Sequence, residues 1–110
     1  MTLGRWFRVE VGDILPGTGR PIDVGGRRVA LFNDGGTFFA VDDRCPHRGG
    51  SLGEGLLSAG QVACPWHGWT FDLRTGQNPL DPGEKVACFA VRSTGAFVEV
   101  ELPDVEIVSQ

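Results

Sequence analysis

Glycine interrupts this chain so often that long helices cannot be its main architecture. It supplies 17 of the 110 residues, about twice its usual share, and it both weakens helix interiors and provides the positive φ of tight turns. Gly25-Gly26 and Asp34-Gly35-Gly36 separate apolar runs in the way that hairpin turns do. No segment has a sustained 3.6-residue periodicity. Closely spaced turn signals therefore favour an all-β chain, either a sandwich or a small barrel.

The short runs between these turns predict the strands. Residues 5–11 alternate partly between polar and apolar side chains, as a first strand does. The further strands are predicted at 22–24, 27–32, 38–41, 61–63, 69–72, 86–92 and 96–102. Turns are predicted at 15–19, 73–76 and 93–95. A chain of this length fits one domain, 1–110, with a single core.

Composition and charge exclude several classes of protein. A hydrophobic fraction of 41% and a mean hydropathy of -0.05 are typical of a globular chain. The net charge of -4 disfavours a nucleic-acid partner, since binding to phosphate rests on clustered Lys and Arg. No apolar run is long enough for a membrane span, and the first residues do not resemble a signal peptide. We therefore expect a cytoplasmic protein without a membrane partner.

Charge is uneven along the chain, because residues 77–110 contain six acidic residues against Lys85 and Arg92. We expect this acidic end to be a solvated edge rather than a docking face.

Two loops interrupt the β pattern with residues that bind metals. They are Cys45-Pro46-His47-Arg48-Gly49-Gly50 and Cys64-Pro65-Trp66-His67-Gly68-Trp69. These loops contain both histidines and two of the three cysteines of the chain, and an odd cysteine count favours metal or redox chemistry over a disulfide framework. Glycine and proline allow the backbone to approach an inorganic centre closely. If the loops meet, two thiolates and two imidazoles surround one metal site.

Other residues near these loops receive structural interpretations. Cys88 lies in an apolar, strand-like run and is predicted to be an inert core thiol rather than a ligand. Trp66, Trp69 and Phe71 are predicted to pack and to shield the site from water. Arg48 is predicted to be a solvated side chain.

The two loops resemble the Rieske iron–sulfur signature, Cys-x-His and Cys-x-x-His flanked by glycines. The resemblance continues through residues 71–76, and residues 79–83 are similar in position to a proline-containing loop that covers the cluster in this family. It implies stacked antiparallel sheets with a small cluster-binding subdomain. It also implies one [2Fe–2S] cluster, with one iron held by Cys45 and Cys64 and the other by His47 and His67.

The chain departs from the respiratory members of the family at four positions. Gly50 and Trp66 stand where those proteins have a disulfide, and Trp69 and Phe71 stand where they have a serine and a tyrosine that donate hydrogen bonds to sulfur. Because such donors stabilise the more negative reduced cluster, their absence predicts a potential near the low end of roughly -150 to +300 mV.

The resemblance implies a soluble, monomeric ferredoxin that passes single electrons from a flavin-dependent reductase to a terminal oxygenase. It would be an electron-transfer protein and not an enzyme, since the chain has no room for a second domain with a catalytic iron. One alternative is a small electron-transfer subunit of a nitrite-reductase-type or other multi-subunit oxidoreductase. A second is a structural zinc module, because two cysteines and two histidines also suit zinc, although the spacing fits zinc less well.

Overall fold

The computed structural model describes residues 4–46, 49–65 and 68–103, and its regular structure is almost entirely β. The strands in chain order are β1 (Gly4–Glu10), β2 (Thr18–Val24), β3 (Arg27–Asp34), β4 (Thr37–Asp42), β5 (Leu56–Ser58), β6 (Gln61–Ala63), β7 (Thr70–Asp72), β8 (Gln77–Asn78), β9 (Asp81–Lys85), β10 (Cys88–Phe89), β11 (Val91–Ser93) and β12 (Phe97–Pro103). A 3₁₀ helix at Leu52–Glu54 stands between β4 and β5. The predicted all-β class is confirmed.

The strands form stacked antiparallel sheets. One sheet has the order β1-β12-β11, the second β10-β4-β3-β2 and the third β5-β6-β7, while β8 and β9 make a separate hairpin. The third sheet and the hairpin are inserted between β4 and β10. This insertion is the small subdomain that the sequence resemblance implied.

Strand β3 lies between two apolar cores. Its side chains Val29 and Leu31 belong to the core formed with the β1-β12-β11 sheet, whereas Ala30 and Phe32 belong to the core formed with the inserted subdomain. All four are completely buried. Both faces of the strand are covered, and its sequence is therefore a continuous apolar run rather than an alternation.

The glycine pairs make the predicted hairpin turns. Gly25 and Gly26 have φ of 55 and 83, and Gly35 and Gly36 have φ of 64 and 102. Two successive residues with positive φ between antiparallel strands are typical of a type I′ turn, whose twist matches that of the strands. The first turn joins β2 to β3 and the second joins β3 to β4.

Three predictions about strands need correction. The predicted strand at 86–92 is two strands, because β10 pairs with β4 in one sheet and β11 pairs with β12 in another. The chain crosses between these sheets at Ala90. Strands β5, β8 and β9 were not predicted, and β2 begins at Thr18, inside the predicted turn at 15–19.

Within the described ranges, the structure has no helix that is long and apolar enough to cross a membrane. A single domain over residues 1–110 stays a prediction, because that range extends beyond the residues described.

Candidate metal centre

The two cysteine loops have the same backbone hydrogen bonds. In the first loop, Cys45 N–H donates to the carbonyl of Gly50 at 2.8 Å, and Gly49 N–H donates to the carbonyl of Cys45 at 2.8 Å. In the second, Cys64 N–H donates to Trp69 O at 2.7 Å, and Gly68 N–H donates to Cys64 O at 3.0 Å. Each cysteine is thus fixed by both its amide and its carbonyl.

The matching extends to the stems of the loops. Arg44 pairs with Ser51 across the base of the first loop, and Ala63 pairs with Thr70 across the base of the second. The fifth residue of each loop, Gly49 or Gly68, has a φ of 77. Only glycine adopts this left-handed conformation without strain. Two differently spaced sequence motifs therefore fold into one repeated loop geometry.

Both cysteines are buried in the same apolar core. Cys45 is 0% exposed and Cys64 is 2% exposed, and both belong to the core that lies between β3 and the inserted subdomain. A buried pair of thiols at the ends of matched, glycine-containing loops suits the two thiolate ligands that one iron of a Rieske centre requires. The structure thus places the two predicted cysteine ligands in one core, and their role as ligands stays a prediction.

The other predicted ligands, His47 and His67, lie outside the described residues, as do Arg48 and Trp66. Their predicted roles stay predictions. Among the residues that the structure does describe, no three His, Cys, Asp or Glu side chains form a further group able to hold a metal.

Two aromatic residues at and just after the end of the second loop lie against the cysteines' core. Phe71 is fully buried and belongs to that core, and Trp69 packs against it while half-buried. Their predicted packing role is confirmed. Phe71 carries no hydroxyl, so its side chain offers only carbon and hydrogen to its surroundings.

The prediction that Cys88 is a core thiol is wrong. It lies on β10 and is exposed, although its Sγ is directed at the carbonyl oxygen of Leu73 at 3.8 Å. Burial of the thiol raises the pKa of Cys88, and the charge of Asp72 raises it further. The apolar neighbours of Cys88 in sequence face several different environments because the chain changes sheets immediately after β10.

The segment at residues 79–83 is part of a hairpin in this structure. Asp81 begins β9, which pairs with β8, and the side chain of Asn78 accepts a hydrogen bond from Leu80 N–H at 2.9 Å. Leu80 at the turn is 94% exposed. Whether this hairpin covers a cluster stays a prediction.

One buried charge next to the first loop was not predicted. Asp43 lies two residues before Cys45, is 4% exposed, and binds residues on the far side of the loop. Its neighbour Asp42 is also acidic, and such a pair in a sequence usually indicates a solvated turn.

The comparisons with known proteins agree with this geometry. The profile of the Rieske [2Fe-2S] domain family matches residues 5–92. The 3-phenylpropionate/cinnamic acid dioxygenase ferredoxin subunit of Escherichia coli (strain K12) is 33% identical over 106 residues, which are 94% of this chain and 99% of that protein. The chain therefore belongs to the Rieske [2Fe-2S] domain family and takes one [2Fe–2S] cluster, which decides against the zinc module.

A second relative is much longer. Apoptosis-inducing factor 3 of Mus musculus is 42% identical over 74 residues, or 67% of this chain, but this chain spans only 12% of the length of that protein.

Solved structures show the same fold. The ferredoxin of carbazole 1,9a-dioxygenase from Nocardioides aromaticivorans IC177 has a TM-score of 0.76 and 26% identity, covering 88% of this chain and 95% of that one. A chain in the complex of reduced oxygenase and oxidized ferredoxin of carbazole 1,9a-dioxygenase has a TM-score of 0.74 and 33% identity, with coverages of 86% and 91%.

A protein from Mycobacterium tuberculosis described as an NADH-dependent nitrite reductase small subunit has a TM-score of 0.84 at 24% identity, with coverages of 96% and 99%. At this identity the similarity shows the fold alone.

Proposed function

We propose that this chain is a one-electron carrier whose [2Fe–2S] cluster is held by Cys45, His47, Cys64 and His67. The observation that supports the ligand set is the repeated loop, which presents one buried cysteine at the same position in each copy. The sequence places one histidine in each loop, two positions after Cys45 and three after Cys64. Two thiolates and two imidazoles complete the ligands of a Rieske centre.

The cluster supplies reversible one-electron oxidation and reduction when it is bound. The residues of the chain control how easily that electron is accepted. Hydrogen bonds between the amide of each cysteine and a carbonyl within its own loop hold the cysteines in place. The surrounding core excludes water, and Phe71 brings no hydrogen-bond donor to it. We therefore expect a reduction potential near the low end of the Rieske range of about -150 to +300 mV.

The ligand set is tested by composition and by magnetic resonance. Purified protein should contain about two iron atoms and two acid-labile sulfides per chain, as a binuclear cluster requires. Pulsed EPR of reduced protein labelled with ¹⁵N-histidine should show two coupled nitrogens, and His47→Ala or His67→Ala should remove coupling or abolish the cluster. Cys45→Ser and Cys64→Ser should lose the native visible spectrum. Cys88→Ser is the matched control and should keep it.

We further propose that the electron comes from a flavin-dependent reductase and goes to a terminal oxygenase. The Escherichia coli relative that this chain matches almost from end to end is the ferredoxin subunit of a dioxygenase. The similar carbazole 1,9a-dioxygenase ferredoxin occurs in a complex with its oxygenase. In this proposal the protein is a monomer in the cytoplasm, consistent with carriage between two larger partners.

Stopped-flow measurements test this pathway directly. A flavin-dependent reductase with NADH should reduce the ferredoxin, and a separately purified terminal oxygenase should reoxidise it within the turnover time. Light scattering after size-exclusion chromatography should give the mass of one chain. If the protein is reduced but no terminal oxygenase accepts its electron, the proposed acceptor is wrong.

A second candidate function is the small electron-transfer subunit of a nitrite-reductase-type enzyme. The similarity in fold to the Mycobacterium tuberculosis protein extends over 96% of this chain. Purification of the tagged chain from its native cell separates the two functions, because a subunit copurifies in fixed ratio with a larger reductase chain whereas a carrier elutes alone.

A further inference from the structure

A buried carboxylate lies beside the first loop and has no part in the ligand set. The side chain of Asp43 is only 5% exposed. Its Oδ1 accepts hydrogen bonds from Gly53 N–H at 2.7 Å and from Ser51 Oγ at 2.9 Å. Its Oδ2 lies 3.4 Å from Nε of Arg28 on β3. Two hydrogen-bond donors and one guanidinium group thus surround the Asp43 carboxylate.

These contacts join the segments that precede and follow the first loop. Asp43 stands before the loop, and Ser51 and Gly53 stand after it. The backbone carbonyl of Asp43 also accepts a hydrogen bond from Leu52 N–H at 2.7 Å. Gly53 in turn lies so close to β2 that an added Cβ would collide with the backbone nitrogen of Pro21. The segment that follows the loop is thus held between Asp43 and β2.

The charge of Asp43 is only partly offset. The side chain of Arg28 is 58% exposed, so water and salt screen its positive charge far more than they screen the carboxylate. Asp43 lies two positions before Cys45, so their Cα atoms are at most about 7 Å apart. An anion this close acts through the protein interior, where electrostatic effects are stronger than in water.

The second loop has no charged residue at the matching position. Val62 occupies the corresponding position, two residues before Cys64, and its side chain is completely buried and apolar. The hydrogen bonds of the two loops match, but their electrostatic surroundings do not. At this position a negative charge lies beside the first loop, and an apolar side chain lies beside the second.

We propose that Asp43 is a positioning residue of the metal centre, which fixes the first loop through its hydrogen bonds and lowers the reduction potential through its buried charge. The proposal rests on the proposed function, because it takes Cys45 as a ligand of the cluster. A reduced cluster carries one more negative charge than an oxidised one, and the carboxylate therefore disfavours reduction. Arg28 acts in the opposite direction and more weakly.

The test is a set of midpoint potentials measured by protein-film voltammetry. Asp43→Asn removes the charge but keeps an oxygen that can accept from Gly53 and Ser51. It should favour the reduced state about tenfold, which is a rise of about 59 mV for one electron. Arg28→Gln removes only the exposed positive charge and should lower the midpoint by a smaller amount. The double variant should lie between the two single variants.

Ser51→Ala is the matched control that changes a contact of Asp43 without changing any charge. It removes one hydrogen bond to Asp43 and leaves both charges in place. Its midpoint should move less than that of Asp43→Asn. If Asp43 had only a structural role, the midpoints of Asp43→Asn and Arg28→Gln would shift in the same direction or not at all. The effect of loosening the loop does not depend on the sign of the charge that is removed.

The visible spectrum of each variant establishes that the cluster is intact. With the cluster intact, an unchanged or lower midpoint in Asp43→Asn overturns the proposal. If Asp43→Asn does not retain the cluster, the midpoint of Arg28→Gln is the remaining test. An unchanged or higher midpoint in Arg28→Gln then overturns the proposal. Failure of the ligand assignment has a different signature, because Cys45→Ser would then keep the native cluster spectrum.

Discussion

Replacing Phe71 by tyrosine tests the proposal that missing hydroxyl groups keep the potential of this protein low. Phe71 lies on β7, two residues after the end of the second cysteine loop, and it shares a fully buried core with Cys45 and Cys64. The substitution adds one oxygen to the ring and changes little else. If the ring edge is directed at the cluster, the new hydroxyl donates a hydrogen bond to sulfur.

The size of the effect follows from the charge of the acceptor. A hydrogen bond to a charged group contributes roughly 1.5–3 kcal/mol, and only the difference between the reduced and oxidised cluster, about 1–2 kcal/mol, changes the potential. For one electron, about 59 mV corresponds to about 1.4 kcal/mol, so Phe71→Tyr should raise the midpoint by about 40–90 mV. A hydroxyl that finds no partner in this core would instead lower the free energy of unfolding by about 1–3 kcal/mol and leave the midpoint unchanged.

Voltammetry of Phe71→Tyr beside the parent protein measures this shift, with the visible spectrum as evidence of an intact cluster. Phe39→Tyr is the control, because Phe39 packs against the same core but lies three residues, or about 10 Å, before the end of β4, and the first loop begins only at Cys45, beyond that end. Its midpoint should not change. An unchanged or lower midpoint in Phe71→Tyr would refute the reasoning and mean that residue 71 does not face a cluster sulfur.

Three further predictions follow from the described contacts. Gly76→Ala should lower the free energy of unfolding by about 2–4 kcal/mol in urea titrations, because φ is 78 and a Cβ would collide with Val86 O. Gly35→Ala is the control: no atom lies near its Cβ, and it should lower the free energy of unfolding by only about 1 kcal/mol. The raised pKa of Cys88 predicts slower alkylation by iodoacetamide at pH 8 than in a model peptide. The thiol of Cys88 loses its proton at lower pH in the unfolded chain than in the folded one. The stability that the neutral thiol contributes should therefore be full below the usual cysteine pKa and decline as pH rises above that value. A Cys88→Ser variant with the same alkaline decline would contradict this.

Features that depend on a few neighbouring residues could be read from the sequence. The glycine pairs predicted both hairpin turns, because positive φ is a property of single residues and glycine adopts it without strain. The cysteine loops were also local, since each motif occupies one loop. The prediction that Phe71 is a packing residue was confirmed for the same reason, as an aromatic residue in a short strand usually enters a core.

Features that depend on distant pairing could not be read in this way. The hairpin of β8 and β9 contains Leu80, which is 94% exposed, and two prolines, so its sequence is typical of a loop. The division of residues 86–92 between two sheets is set by the partners, β4 for β10 and β12 for β11. The exposure of Cys88 follows from that division, because its apolar neighbours do not face a common core.

The acidic pair at the end of β4 shows how the fold separates two residues of the same kind. Asp42, the last residue of β4, is directed toward Arg27 at 3.3 Å, while Asp43, which follows the strand, is turned inward beneath the first loop. The inward carboxylate is thereby shielded from the solvent that screens the outward one. Two chains with the same two cysteine loops would therefore differ in potential if only one of them had an acidic residue at position 43. In the proposed assignment, the loop motifs specify which cluster is bound, and the packing beneath the loops adjusts how easily that cluster is reduced.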